Sequence, residues 1–331
     1  MPLEVGWKAL RLAFSGPPGQ PACLSFFGGE PMLEFPTMVR LARVARRLGR
    51  RTGRQVLFSV TTNATLLRSR HLRFFRHYGF AVALSVDGPE AVHDRHRPFV
   101  SGRGSARLVW ANLARAAVCL PHLRALVVVS PGSVDSLPDT VARLRGLGIE
   151  RISLLPNVDT RWDPEARERL RAVYHRLARA CLASLAGPRP LRLNPFFERF
   201  SRGPGRLECG FGRDEVAVAP SGNLYPCGRL VGSDSRADIR VGHVDEGVDA
   251  ARVEAVRQVS ARRMQSCGTD GPCGCVSLMP GKVCEQLERY QFFRRTAEEA
   301  ARAARVLSAL AWGAPEKTPR PTWGGPQGVS A

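Results

Sequence analysis

With 331 residues, 44% hydrophobic and 24% charged side chains, the chain is long enough for one substantial core and a smaller second unit, which excludes fibrous and wholly disordered classes. No apolar run reaches the roughly 18 residues of a membrane span, and no basic segment leads into an apolar one at the N-terminus. The expected location is therefore the cytoplasm, with no membrane partner. The formal charge of +20 is almost all arginine, spread through amphipathic stretches (Arg40, Arg43, Arg46, Arg47, Arg50) with no interleaved aromatic residues. That pattern suits a solvated basic surface attractive to an acidic partner, and argues against a nucleic-acid interface.

The first element is a helix from Leu3 to Phe14, closed by the turn Gly16-Pro17-Pro18-Gly19. From residue 24 to about 155, short apolar runs alternate with helical periodicity, the signature of βα units and a parallel sheet. The strands are Leu24 to Phe27, Val56 to Thr61, Val82 to Val86, Leu126 to Val129 and Ile152 to Leu155, with Leu191 to Leu193 as a further short one. The clearest helix has Asp163 as N-cap and Pro164 in its first turn. Its apolar stripe runs through Leu170, Val173, Leu177, Cys181 and Leu185, and it stops at Gly187-Pro188. Beyond residue 201 glycine, proline and cysteine rise and periodicity fades, up to a helix from Glu285 to Leu310. The domain reading is 1–200 for an α/β unit, 201–290 for a small cysteine-rich unit, 291–311 for the terminal helix and 312–331 for a disordered tail.

Three successive strand ends carry small polar or acidic residues: Gly28-Gly29-Glu30-Pro31, Thr61-Thr62-Asn63 and Ser85-Val86-Asp87-Gly88. The C-terminal rim of parallel strands is where α/β proteins bind ligands, and glycines there let a ligand approach the backbone. Six of the nine cysteines, Cys209, Cys227, Cys267, Cys273, Cys275 and Cys284, fall within residues 209–284. Without an export signal this grouping favours metal or cluster ligation over disulfides, with zinc as an alternative to iron and sulfur. Val216, Val218, Leu224 and Tyr225 around Pro220-Ser221-Gly222-Asn223 read as a hairpin. Cys23, Cys119 and Cys181 read as buried apolar side chains.

The strings FFGGEP, TTNAT and LSVDGPEAVHDRHRP, in this order, resemble the radical S-adenosylmethionine (radical SAM) proteins that carry a SPASM domain, peptide maturases among them. CGFGRDEVAVAPSGNLYPC, with Cys209 and Cys227, resembles the first half of the SPASM pattern. The resemblance implies a partial (β/α)6 barrel plus a small iron-sulfur domain. It implies that Gly28, Gly29 and Glu30 hold the methionyl amino group of SAM, that Asn63, Ser85 and Asp87 line its site, and that Arg124 faces the methionyl carboxylate. It also implies an auxiliary 4Fe-4S cluster on the cysteines named above. A peptide or protein substrate and an electron donor such as a ferredoxin or flavodoxin complete the implied set. His93, His96 and Arg97 follow Asp87 in a string like that of the family, the histidines more in keeping with a structural role.

The CxxxCxxC string that holds the catalytic cluster in this family does not occur in the 331 residues, where Cys23 is the single cysteine before Cys119. The barrel is accordingly expected without its first strand, with the start placed upstream of Met1. Two functions follow: a full-length protein that generates a 5′-deoxyadenosyl radical to modify a peptide or protein, or a catalytically inactive homologue that binds a peptide or partner.

Overall fold

The computed structural model describes residues 1–17, 19–197, 200, 211–212, 215–269 and 274–312, the last three by backbone alone. Six parallel strands lie side by side in sequence order: β1 (Ala22–Phe26), β2 (Val56–Thr62), β3 (Ala81–Ser85), β4 (Leu123–Val129), β5 (Arg151–Pro156) and β6 (Arg192–Asn194). Every pair is parallel, so each connection crosses back over the sheet and all C-terminal strand ends share one rim.

The crossovers are helical: α2 (Phe35–Thr52), α3 (Ser69–Tyr78), α4 (Glu90–His96), α5 (Ala106–Cys119), α6 (Leu137–Gly146) and α7 (Pro164–Ala183), with α1 (Leu3–Phe14) ahead of β1. Local sequence explains their ends. The Asp163 side chain accepts from the Ala166 N–H at 2.7 Å and Pro164 opens α7. α2 and α3 both stop at a glycine in the left-handed region, Gly53 at φ 64° and Gly79 at φ 67°. The final turn of the stretch expected to run to Gly187 tightens into a 3₁₀ segment, Ser184–Ala186.

Strand alternation decides which side carries the core. Val82, Leu84, Ala125, Val127, Val129, Ile152 and Leu154 point to the helix-covered face and are buried there with Phe75, Leu113, Leu144 and Leu170. On the other face Ser25 is exposed, while Ser59, Thr61, Ala83, Leu126, Val128 and Leu155 are only partly covered. A parallel sheet normally has both faces covered. The open face here is lined largely by small or polar residues and supplies room for a ligand.

A second core gathers Leu224, Tyr225, Leu230, Ile239, Val241, Val256, Val276 and Leu278 around a four-stranded antiparallel sheet. Its strands are β7 (Ala217–Val218), β8 (Asn223–Tyr225), β9 (Gly242–His243) and β10 (Gly247–Val248), and β7 with β8 forms the hairpin expected from sequence. The last helix, Val283–Trp312, starts two residues earlier than expected and serves both cores: Leu287 sits in the second, whereas Phe293, Ala297 and Ala300 pack into the first. Residues 313–331, expected as a disordered tail, lie outside the described residues. No helix among those described is long and apolar enough to cross a membrane.

Candidate functional site

The three motifs end neighbouring strands, and Glu30 ties the first two together. Its Oε1 accepts from the Thr62 hydroxyl at 2.6 Å and from the Met32 N–H at 3.0 Å, while Oε2 accepts from the Asn63 N–H at 2.8 Å. The carboxylate thereby caps the 3₁₀ turn Pro31–Glu34 and clamps the end of β1 to the end of β2. Acceptor capacity remains on Oε2, enough for one further donor such as a ligand ammonium. Gly28 stands at φ 125°, a conformation open to glycine, and a Cβ there would meet nothing within 4 Å, so the space beside the turn is free.

Asn63 is committed on one side. Its Oδ1 accepts from both the N–H (3.0 Å) and the hydroxyl (2.7 Å) of Thr65, which leaves the Nδ2 hydrogens to face a ligand acceptor. Ser85 is buried at the end of β3, and its hydroxyl has no partner among the described residues. Amide donor, hydroxyl and carboxylate are thus presented by three adjacent strand ends.

Asp87 is different. Its Oδ2 pairs with Arg97 Nε at 2.7 Å and its Oδ1 accepts from the Val128 N–H at 3.1 Å, so each oxygen holds one protein donor. With side-chain exposure of 5%, Asp87 acts as a cross-link between the β3 end and β4. His93 supports that turn. Its Nδ1 accepts from the Asp87 N–H at 3.2 Å, which places the ring proton on Nε2, directed at the Ser105 hydroxyl 3.1 Å away. Burial holds His93 below the usual histidine range, and the ring is a neutral strut.

Arg124 stands two residues below this rim. It is the second residue of β4, in register with Ala83, two residues before Ser85 and five before the strand's end at Val129. Its other strand partner is Arg151, and through Ala83 it is level with Thr61, so it sits on the open face about 7 Å along the strands below Asn63 and Ser85. Thr62 and Arg97 are the site's structural partners that sequence underweights. Thr62 is adjacent to Asn63 but alternates to the helix face, and the ten-position separation of Asp87 and Arg97 gives no periodic hint of their pairing.

The cysteines divide. Cys209 and Cys273 lie outside the described residues. Cys227 and Cys275 are buried in the second core. Cys267 and Cys284, expected as ligands, are joined to each other as a disulfide with Cα atoms 5.2 Å apart, and a disulfide sulfur offers no thiolate to a metal. Among the described residues no group of three or more His, Cys, Asp or Glu is arranged to hold a metal ion.

Of the isolated cysteines, Cys181 is buried as expected and Cys119 is half-buried, but Cys23 is exposed, because alternation puts it on the outward side of the edge strand β1. Burial pushes the Cys181 thiol up to about 11. At pH 8 about one Cys181 in a thousand is therefore thiolate. Native alkylation with iodoacetamide at that pH, read by peptide mass spectrometry, is expected to modify Cys23 and leave Cys181 untouched until the protein unfolds. Equal labelling of the two would show that the α7 packing is open in solution.

No family model matches the chain. A serine-type anaerobic sulfatase-maturating enzyme of Klebsiella aerogenes is 26% identical over 277 residues, covering 75% of this chain and 65% of the relative, so the chain spans about two thirds of that protein's length. Among solved structures, anSMEcpe with bound AdoMet and the Kp18Cys peptide superposes with a TM-score of 0.71 over 92% of this chain and 91% of that one, at 17% identity. The fold is the radical SAM fold. Streptococcus suis SuiB bound to its precursor peptide SuiA is a more distant likeness, with a TM-score of 0.56 at 15% identity over 86% of this chain and 69% of that one. The resemblance to radical SAM, SPASM-type maturases carried by the motifs thus extends to the path of the whole sheet.

Proposed function

We propose that this chain binds S-adenosylmethionine along the rim formed by Gly28, Gly29, Glu30, Asn63 and Ser85, and that it belongs to a radical SAM, SPASM-type system modifying a peptide or protein. The proposal rests on the rim itself: a carboxylate with acceptor capacity left, an amide restricted to donating and a hydroxyl without a protein partner among the described residues, on three adjacent strand ends. In this role Glu30 accepts from the methionyl ammonium, while Asn63 donates and Ser85 donates or accepts at the ribose or carboxylate oxygens. Asp87 positions the β3 turn.

Support for the substrate class comes from the similarity to a sulfatase-maturating enzyme and from likeness to structures holding AdoMet and peptides. A bound 4Fe-4S cluster would supply the electron that splits SAM into methionine and a hydrogen-abstracting 5′-deoxyadenosyl radical, the electron coming from a donor such as a ferredoxin or flavodoxin. The 331 residues contain no CxxxCxxC string to hold that cluster. That composition favours a second reading for the chain acting by itself, a binder of SAM and peptide that performs no reductive cleavage. An auxiliary cluster on Cys227, Cys267, Cys275 and Cys284, with Cys209 and Cys273, would first require the Cys267–Cys284 disulfide to be reduced.

Isothermal titration of the folded chain with SAM tests the rim, and 5′-deoxyadenosine formation after anaerobic reconstitution and reduction separates the two functions. Saturable binding without 5′-deoxyadenosine is expected from this chain. A folded protein that does not bind SAM overturns the proposal, and 5′-deoxyadenosine release would transfer the radical chemistry to these residues.

A further inference from the structure

The open face of the sheet carries an arrangement just below the proposed SAM rim. Arg124 on β4 is in register with Arg151 on β5, and Arg151 with Arg192 on β6. Register partners on parallel strands share a face, about 4.8 Å apart, so three guanidinium side chains stand side by side. Like charges directly opposite on neighbouring strands destabilise a sheet.

Among the described residues no carboxylate pairs with them. None of the three has a side-chain hydrogen bond or ion pair there, and the nearby Glu150 is engaged by Arg189 at 2.5 Å. Arg192 Nε is buried without a partner, its guanidinium carbon 5.6 Å from the centre of the Phe197 ring. Burial, then the flanking Arg192 and Arg124, hold Arg151 below its usual range against the opposing pull of Glu150. The row also lies close to the rim. Arg124 pairs with Ala83, two residues before Ser85, or about 7 Å along the strand, and Leu126 and Ser153 pair across the intervening step.

We propose that Arg124, Arg151 and Arg192 form an oxyanion site on the open face and, resting on the peptide-modifying function above, that it receives a carboxylate of the substrate. Guanidinium forks match the two oxygens of a carboxylate, and three of them on one face exceed what a single anion needs for neutralisation. Self-repulsion among the three is a stability cost of the kind retained where function uses it.

Thermal unfolding of the wild type, Arg151→Gln and Arg124→Gln at increasing inorganic phosphate, with ionic strength held constant by sodium chloride, tests the site. Without phosphate both variants are expected to unfold roughly 2–4 °C above the wild type, because repulsion is removed. With phosphate the wild type should rise more than either variant, since a ligand stabilises the form that binds it. The difference between proteins is the readout, because phosphate also stabilises folded chains by exclusion from their surface. Equal rises in all three proteins, or variants less stable than the wild type without phosphate, would overturn the site.

The carboxylate arm compares an aspartate-containing peptide with its asparagine counterpart by fluorescence anisotropy. About tenfold tighter binding of the acidic peptide, lost in Arg151→Gln, is expected. A phosphate effect specific to the wild type with no peptide binding would leave the oxyanion site standing and remove the peptide as its source. Equal binding of both peptides, with equal phosphate effects in all proteins, would remove the site and leave peptide modification intact.

Discussion

Glu30→Ala is expected to lose about 2–4 kcal/mol of stability and to weaken SAM binding by roughly 10- to 100-fold, the worth of one charge-assisted hydrogen bond. The stability effect follows from the donors left behind. Thr62 Oγ1, the Met32 N–H and the Asn63 N–H all terminate on this one carboxylate, and removing it frees the ends of β1 and β2 together. Glu30→Gln separates the two roles. The amide keeps one oxygen for the Thr62 and Met32 donors but turns an NH₂ toward the Asn63 N–H, donor against donor, at an expected cost of about 1–2 kcal/mol. Its neutral head group should still bind SAM as poorly as alanine does, since the ammonium loses its counter-charge. Chemical denaturation and calorimetric titration on the same preparations check both halves. An unchanged denaturation midpoint in Glu30→Ala would refute the clamp, and unchanged SAM affinity in Glu30→Gln would refute the ammonium contact.

Asp87→Ala is expected to be at least as costly to the fold. With Asp87 removed, the partly buried Arg97 guanidinium and the Val128 N–H lose their shared acceptor, and breaking one partner of such a pair costs about 3–5 kcal/mol. Asp87→Asn retains an oxygen for Val128 and should fall about midway. The double variant Asp87→Ala with Arg97→Ala is expected to be more stable than the sum of the single losses predicts, with a coupling above about 1 kcal/mol, because the stranded charge leaves with its partner. Strict additivity would mean the ion pair contributes nothing in solution. A specific collapse of SAM affinity in Asp87→Asn, with stability kept, would instead move Asp87 from positioning the turn to contacting the ligand.

Much of the α/β architecture is legible in the order of residues along the chain. Val56 to Thr61 and Ile152 to Leu155 announce β2 and β5 to within a residue at each end. Asp163-Pro164 fixes the start of α7 because capping and the missing proline N–H are local chemistry. β4 is legible only from Leu126, since Leu123-Arg124-Ala125 places a charge in the run, and that charge is tolerated because it faces the open side. Residue type alone makes Cys23 a buried side chain, while the edge position of β1 and its alternation turn it outward. Cys267 and Cys284, separated by 17 in sequence, count as ligands by composition, which tallies thiols without pairing them.

Short-range chemistry therefore controls everything that can be read along the chain: the order and type of the elements, the helix caps, the hairpin, and the presence of polar groups at three successive strand ends. Packing in three dimensions settles which of those groups are already occupied. Asp87 already holds Arg97 and Val128, Glu30 already holds Thr62, Met32 and Asn63, and Ser85 is left without a protein partner among the described residues. It also sets Arg124 beside Arg151 and Arg192. The physical reason is that hydrogen-bond saturation and charge proximity depend on strand register across the sheet, and register between β3, β4, β5 and β6 joins residues tens of positions apart, beyond the reach of any periodicity along the chain.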